Sequence, residues 1–156
     1  MEEKKYYLTK EGLDRVQKEH NDLLAFRKKK TMDDAPSILQ SEDVNPEYLV
    51  YQEDLHLLEA KIAEHENILK HVELISKPAK GKRLEVCMGA TVELVDESDK
   101  SVNEYTVLGT LEANPMEGKI SSESPVGKQL LGKKIGEIVV INSPIEVKYR
   151  VQNIRY

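Results

Sequence analysis

Apolar positions in the first half of the chain recur at alternating steps of three and four residues. In one stretch the row is Tyr48, Tyr51, Leu55, Leu58, Ile62, His65, Leu69 and Val72, while Lys61, Glu64, Glu66 and Lys70 fall off it. That is a heptad seam, the pattern of a helix packed along a partner helix. An earlier row runs Leu13, Val16, His20, Leu23, Arg27 and Lys30, flanked by Leu24 and Phe26. Thr9, with Gly12 nearby, reads as the cap of this first helix, and Asn45 followed by Pro46 reads as cap and first turn of the second.

The two rows pair by arithmetic, because facing residues of an antiparallel hairpin have a nearly constant sum of numbers. Leu13 with Val72, Val16 with Leu69, His20 with His65, Leu23 with Ile62, Arg27 with Leu58 and Lys30 with Leu55 all add to about 85. The turn then centres between Glu42 and Asp43, which puts an acidic pair at the tip. Pro36 ends or bends the first helix if Asp34 is still helical, leaving an irregular loop from Pro36 to Val44.

The period changes in the last third. Ala90-Thr-Val-Glu-Leu-Val and Tyr105-Thr-Val-Leu-Gly alternate as strands about a polar turn from Asp96 to Asn103. Lys119-Ile-Ser is a short strand. Ser124-Pro125 opens a short helix carrying Val126, Leu130 and Leu131, and Gly132 closes it. Ile138-Val-Val-Ile and the run from Val147 to Ile154 form a last hairpin. The fold class is therefore α+β: an N-terminal antiparallel helical hairpin over residues 1–76 with its tip near 36–45, a linker at 77–83 carrying Pro78 and Gly81, and a small antiparallel β-sheet domain with one short helix over 84–156.

Composition narrows the partners. Charged residues make up 33% of the chain and aromatic ones 5%, which fits long solvated helices better than one large core. A net charge of −5 argues against a surface that binds nucleic acid throughout, since that attraction needs clustered cations. Cys87 stands alone, so no internal disulfide is expected, and neither a signal peptide nor a membrane span is evident; the expected setting is the cytoplasm.

The C-terminal third carries Gly89-Ala-Thr-Val, Glu112-Ala-Asn-Pro-Met-Glu-Gly-Lys-Ile-Ser, Ser124-Pro-Val-Gly-Lys-Gln-Leu-Leu-Gly-Lys-Lys-Ile-Gly and the ending Ile154-Arg-Tyr. The N-terminus adds Tyr7-Leu-Thr-Lys-Glu-Gly-Leu, and Asn45-Pro-Glu-Tyr48 opens the second helix. Together these resemble the Gre family of bacterial transcription elongation factors over essentially the whole chain. The resemblance implies a coiled-coil domain followed by an FKBP-like domain. It also implies that the globular domain grips the rim of the RNA polymerase secondary channel while the hairpin enters it. Acidic tip residues then help hold a catalytic magnesium ion, so that the polymerase cleaves backtracked RNA with its own active site. The partners implied are bacterial RNA polymerase and the nascent RNA 3′ end, with no membrane, a monomeric factor and no cofactor of its own beyond the shared magnesium. Roughly 30 residues per arm give a reach of about 45 Å at 1.5 Å per residue.

The tip departs from the family pattern Gly-Asp-Leu-x-Glu-Asn-Ala-Glu-Tyr. Counted back from Asn45, the family Asp falls on Ser41 and its Glu on Val44; counted forward from Gly12, Asp43 takes the Asp position and the Glu is lost. Three readings stay open. Asp43, assisted by Glu42 or Glu47, holds magnesium and serves catalysis; the factor fills the channel without cleavage, as an inhibitor or regulator; or the hairpin serves another partner as a coiled-coil adaptor. Arg27, Lys28, Lys29 and Lys30 are the expected RNA-contacting patch, with a solvated face as the plain alternative. Asn114, Pro115, Met116 and Ser124 are the expected polymerase-binding residues. His20 and His65 are expected to face each other as a hydrogen-bonded polar layer, with a zinc site or pH switch as the sharper reading. Cys87 reads as a small buried hydrophobe. A prolyl-isomerase pocket needs an aromatic lining, which a chain with no Trp and Phe26 as its one Phe does not offer.

Overall fold

The structure, a computed structural model, describes residues 3–142 and 144–156, and of Gln40 the backbone alone. Met1 and Glu2 of the charged N-terminal stretch lie outside the described residues, as does Ser143. In chain order the elements are β1 (Tyr6–Leu8), α1 (Lys10–Met32), β2 (Leu39–Gln40), β3 (Asp43–Val44), α2 (Pro46–Lys70), β4 (Val72–Leu74), β5 (Thr91–Asp96), β6 (Val102–Leu108), β7 (Lys119–Ser121), α3 (Pro125–Leu130), β8 (Ile138–Asn142) and β9 (Glu146–Arg155). Single 3₁₀ turns occur at Lys80–Lys82, Thr110–Glu112 and Pro115–Glu117. Among the described residues no helix is long and apolar enough to cross a membrane.

The chain divides into two compact units. One, Leu13–His71, is the helical hairpin. Thr9 does cap α1, its Oγ1 accepting the Gly12 N–H at 3.1 Å. Asn45 caps α2 through its side chain, with Pro46 in the first turn. The arms run in the expected register: Arg27 meets Glu59 and Lys30 meets Asp54, each at 3.3 Å, and His65 lies 3.4 Å from Glu19. These pairs add to 84–86, so the seam arithmetic holds within a residue. Leu58, Ile62 and Ile68 are buried, all on α2 and away from the tip.

Three expectations for this unit need correction. α2 stops at Lys70, with His71 as its C-cap, so Val72 is no seam residue and cannot face Leu13. α1 ends at Met32, before Asp34, so Pro36 does not terminate it; the last turn closes with the Asp33 N–H on the Lys29 carbonyl at 2.9 Å. The histidine layer is also uneven. His65 Nδ1 lies 2.9 Å from the Lys61 carbonyl and its Nε2 faces Glu19 at 3.4 Å, whereas His20 Nδ1 is buried with no hydrogen-bond partner among the described residues.

The other unit joins the N-terminal residues through Gly12 to Val72–Tyr156. Its boundaries differ from the expected break at 77–83 because β1 and β4 pair in parallel, Tyr6 with Val72 and Leu8 with Leu74, and the Ile75 N–H extends the ladder to the Leu8 carbonyl at 2.8 Å. Leu8 is fully buried by this pairing. The main sheet has the order β7-β6-β5-β9-β8. It is antiparallel except at one edge, where β7 runs parallel to β6, so the sheet is mixed rather than purely antiparallel. Val86, Ala90, Val92, Leu94, Val107, Leu130, Val139 and Val151 form its core; each of the Val and Leu side chains contributes roughly 1.5–3 kcal/mol by leaving water.

Two contacts shape the α3 corner. A Cβ at Gly127 would sit 2.0 Å from the Ser121 carbonyl oxygen, so only glycine lets α3 start this close to β7. Gly132, at φ +81, terminates the turn after α3 as the sequence suggests. At the chain end the Tyr156 hydroxyl accepts the Cys87 N–H at 2.9 Å and donates to the Glu85 carbonyl. Burial is the main cause that pushes this phenol up to about 12.

Candidate functional site

The tip is built from the chain between α1 and α2. It is not the irregular loop expected from Pro36 onward but a miniature β-hairpin: Leu39 pairs with Val44 and Gln40 with Asp43. The turn itself is Ser41-Glu42, one residue earlier than the seam arithmetic places it. Ser41 takes φ +62, the left-handed backbone that two-residue hairpin turns require at their first position. No Asn-Gly or Asp-Gly signal marks this turn, which is why pattern alone missed it.

Asn45 holds the hairpin to the helix. Its N–H extends the ladder to the Ile38 carbonyl at 3.0 Å, its Nδ2 donates to the Ser37 carbonyl at 2.9 Å, and its Oδ1 accepts the Glu47 N–H at 3.0 Å. It is a buried polar residue, 9% exposed, with every role satisfied. Reading Asn45 only as a helix cap understated it: one side chain fixes both ends of the tip.

Glu42 and Asp43 are exposed at this apex, and neither carboxylate is engaged by another described side chain. Among the described residues there is no group of three or more His, Cys, Asp or Glu that could hold a metal ion. The tip can therefore offer magnesium one or two carboxylates, which suits an ion that keeps waters and takes further ligands from elsewhere. Apolar side chains surround the acids: Ile38, Leu39 and Val44 are each more than half exposed.

The basic run divides in two. Arg27 and Lys30 lie on the seam side and are spent on the facing arm, in the pairs with Glu59 and Asp54. Lys30 also lies 5.4 Å above the Tyr51 ring, which stacks on Tyr48 at 6.2 Å. Lys28 and Lys29 point to solvent. The two lysines in the middle of the run are thus the ones left for an external anion.

In the C-terminal unit Asn114 and Ser124 both act first as caps. Asn114 Oδ1 accepts the Met116 N–H at 3.2 Å, and Ser124 Oγ accepts the Gly127 N–H at 3.0 Å while donating to the Ser121 carbonyl at 2.6 Å. Pro115 opens the turn that follows Asn114, and Gly118 closes it at φ +71. The result holds Met116 out at 94% exposure. The residue at the head of that motif has a separate task. Glu112 Oε2 accepts the Thr9 N–H at 2.7 Å and its Oε1 accepts the Thr9 hydroxyl at 2.6 Å. A Cβ at Gly12 would come within 2.3 Å of Oε1, so Gly12 makes room for that carboxylate. The opening motif and the Glu112 motif, 103 residues apart, are two halves of one contact.

Comparison with known proteins agrees with these motifs. Residues 82–156 match the family described as "Transcription elongation factor, GreA/GreB, C-term". A protein named transcription elongation factor GreA from Mycoplasma genitalium is 39% identical over 155 residues, 97% of this chain and 96% of that one. Its namesake from Thermomicrobium roseum is 38% identical over 139 residues, 88% of each chain. Among solved structures, GreA factor homolog 1 of Thermus thermophilus is similar over 98% of this chain and all of that one, at 25% identity and a TM-score of 0.45. With 39% identity to the Mycoplasma genitalium factor over 97% of its length, the chain belongs to the GreA/GreB family of transcription elongation factors.

Proposed function

We propose that this chain is a transcription elongation factor acting on RNA polymerase. In this reading its C-terminal unit holds the rim of the secondary channel, and the hairpin tip presents Asp43, with Glu42 beside it, to a magnesium ion shared with the polymerase active site. The polymerase then cleaves backtracked RNA, and the factor has no nuclease centre of its own. The observation that carries the reading is the tip: two adjacent, solvent-facing carboxylates, Glu42 on the two-residue turn and Asp43 on the strand that leaves it, pinned by Asn45 at the end of an ion-paired helical hairpin. A magnesium ion bound there would supply positive charge for an attacking water and for the scissile phosphate. The chain's own contribution is to hold its carboxylates where the ion can use them, on backbone that the ladder at Ile38–Asn45 keeps from fraying.

Lys28 and Lys29 are the residues that meet the extruded RNA, while Arg27 and Lys30 brace the arms. Met116, held out by Asn114 and Pro115, and the turn at Ser124 supply the polymerase contact. The factor works as a monomer in the cytoplasm.

One observation favours a second reading, in which the hairpin fills the channel without cleavage. The residue aligned with the family Asp by counting back from Asn45 is Ser41, and it is committed to the left-handed turn position. A halted, backtracked transcription complex separates the two. Addition of the factor should accelerate transcript cleavage, and the double variant Asp43→Ala with Glu42→Ala should lose that effect while still co-purifying with polymerase. Stimulation that survives the double variant would sink the metal-ligand role; polymerase binding with no stimulation by the natural chain assigns the second reading.

A further inference from the structure

Just after β4 the chain runs Lys77-Pro-Ala-Lys-Gly-Lys-Arg83, with no acidic residue anywhere from Leu74 to Leu84. The acids that bracket this run are committed elsewhere, Glu73 to Lys5 at 2.5 Å and Glu85 to Lys134 at 3.5 Å. Lys77, Lys80, Lys82 and Arg83 are all exposed, and no acid among the described residues pairs with them. The hairpin unit, with 8 Lys and Arg against 13 Asp and Glu, holds the whole net charge of −5. The run is therefore a positive island on a unit that is neutral in total.

Where the sequence suggests a plain linker, the backbone is folded into a turn. The Lys82 N–H meets the Ala79 carbonyl at 2.8 Å, and the Glu85 N–H meets the Lys82 carbonyl at 3.2 Å. Arg83 Nε donates to the Pro78 carbonyl at 3.1 Å, which folds the guanidinium back over the turn. A free linker would let like charges spread apart; this turn holds four of them together, ready for an anion. The surroundings say which kind. Single-stranded nucleic acid is held by stacking, and no aromatic residue lies between Ser76 and Val86. A duplex would be repelled by the net charge of the chain. Leu84, beside Arg83, is 64% exposed. A ridge of phosphates leaves such a side chain uncovered, whereas a protein surface of mixed acidic and apolar residues covers it.

We infer that the turn at Lys77–Arg83 docks an acidic, partly apolar segment of RNA polymerase and speeds the encounter of the two proteins. The inference rests on the proposed action at RNA polymerase and adds a contact separate from Met116 and Ser124. Exposed ion pairs add little to affinity, but complementary charge steers association. The turn thus acts on the rate of binding and hardly on the rate of release. Salt removes its action, because the screening length falls from about 10 Å at 0.1 M to about 3 Å at 1 M.

The test measures association and dissociation rates of the full chain on immobilised core polymerase free of nucleic acid, across a salt series. The variant combines Lys77→Gln, Lys80→Gln and Lys82→Gln and leaves the Arg83 brace in place. A control combines Lys18→Gln, Lys70→Gln and Lys148→Gln, exposed positions that change the net charge equally. All the changes are at exposed side chains, and circular dichroism verifies that both proteins fold. At low salt the turn variant should associate roughly tenfold more slowly, with dissociation within about twofold of the natural chain. The control should associate within about twofold of the natural chain, and all three should converge at high salt. Equal slowing in the turn variant and the control overturns the inference, since net charge alone then explains it. So does a deficit that high salt does not reduce, or one that is seen only when the polymerase carries nucleic acid, which assigns the turn to phosphate. Failure of the natural chain to bind polymerase removes the proposed function and the docking turn together, whereas binding that ignores the three lysines removes the turn alone.

Discussion

Replacing Glu112 by Ala removes two hydrogen bonds from Thr9 to a carboxylate at the start of α1, at 2.7 and 2.6 Å. Bonds to a charged acceptor are worth about 1.5–3 kcal/mol each when sequestered. A carboxylate beside helix N–H groups adds about 0.3–1 kcal/mol. Water can reach this half-buried site, so the expected net loss is about 2 kcal/mol. Gly12 sharpens the test. Gly12→Ala should gain about 1 kcal/mol of helix propensity. Its new Cβ, however, would meet Glu112 Oε1 at 2.3 Å and force the carboxylate off Thr9. The cap loss exceeds the propensity gain, so Gly12→Ala should destabilise the natural chain by about 1 kcal/mol. In the Glu112→Ala background there is no carboxylate to displace, and the same substitution should stabilise. Urea unfolding followed by circular dichroism, with amide exchange at Thr9, measures all four proteins of the cycle. If Gly12→Ala has the same sign in both backgrounds, the coupling between these residues is not what the geometry implies.

Two further outcomes follow from the fold. Tyr156 keeps its proton in the folded state up to about 12, against 10.0 when unfolded, so the stability it lends is complete below pH 10 and fades as pH rises through 12. Tyr156→Phe should flatten urea stability across that alkaline window and cost about 1–3 kcal/mol at neutral pH, where the Cys87 N–H loses its acceptor. At the tip, Ser41→Val should destabilise the turn by about 1–2 kcal/mol, because a branched side chain tolerates positive φ poorly. Ser41→Gly should be neutral or mildly stabilising, and amide exchange at Asn45 reads both.

The heptad seam was legible because it repeats from Tyr48 to Leu69 in one arm and from Leu13 to Lys30 in the other, so a single wrong assignment cannot shift the register. Glu59, Asp54 and Glu19 then meet Arg27, Lys30 and His65 where that register puts them. The caps at Thr9, Asn45 and Ser124 were legible for a local reason: each satisfies N–H groups within three residues. What escaped was short or distant. Tyr6–Leu8 and Val72–Leu74 have three residues each, too few for alternation to register, and their pairing is decided by what lies across the chain. The tip hairpin has two residues per strand and a serine where glycine or asparagine would announce the turn. The split of the basic run needed the positions of the facing acids, because Arg27 and Lys28 look alike until Glu59 is seen opposite one of them. Glu112 as a partner for Thr9 left no trace in periodicity at all; only its place in a motif marked it.

The parallel pairing of Tyr6 with Val72 also orders events in time. Bringing these residues together in an unstructured chain means closing a loop of about 65 residues, an entropic cost near 4 kcal/mol before any contact repays it. The hairpin contained in that loop is made of contacts between residues that approach one another progressively from the turn, so it can zip without a long search. Once its arms are aligned, as the Glu19–His65 pair shows them to be, most of the closure is already done. The arms then do more than carry the tip. They are the splint on which the first strand finds its partner, and a chain whose arms zip slowly will be slow to close β1 on β4 even when every residue of those strands is intact.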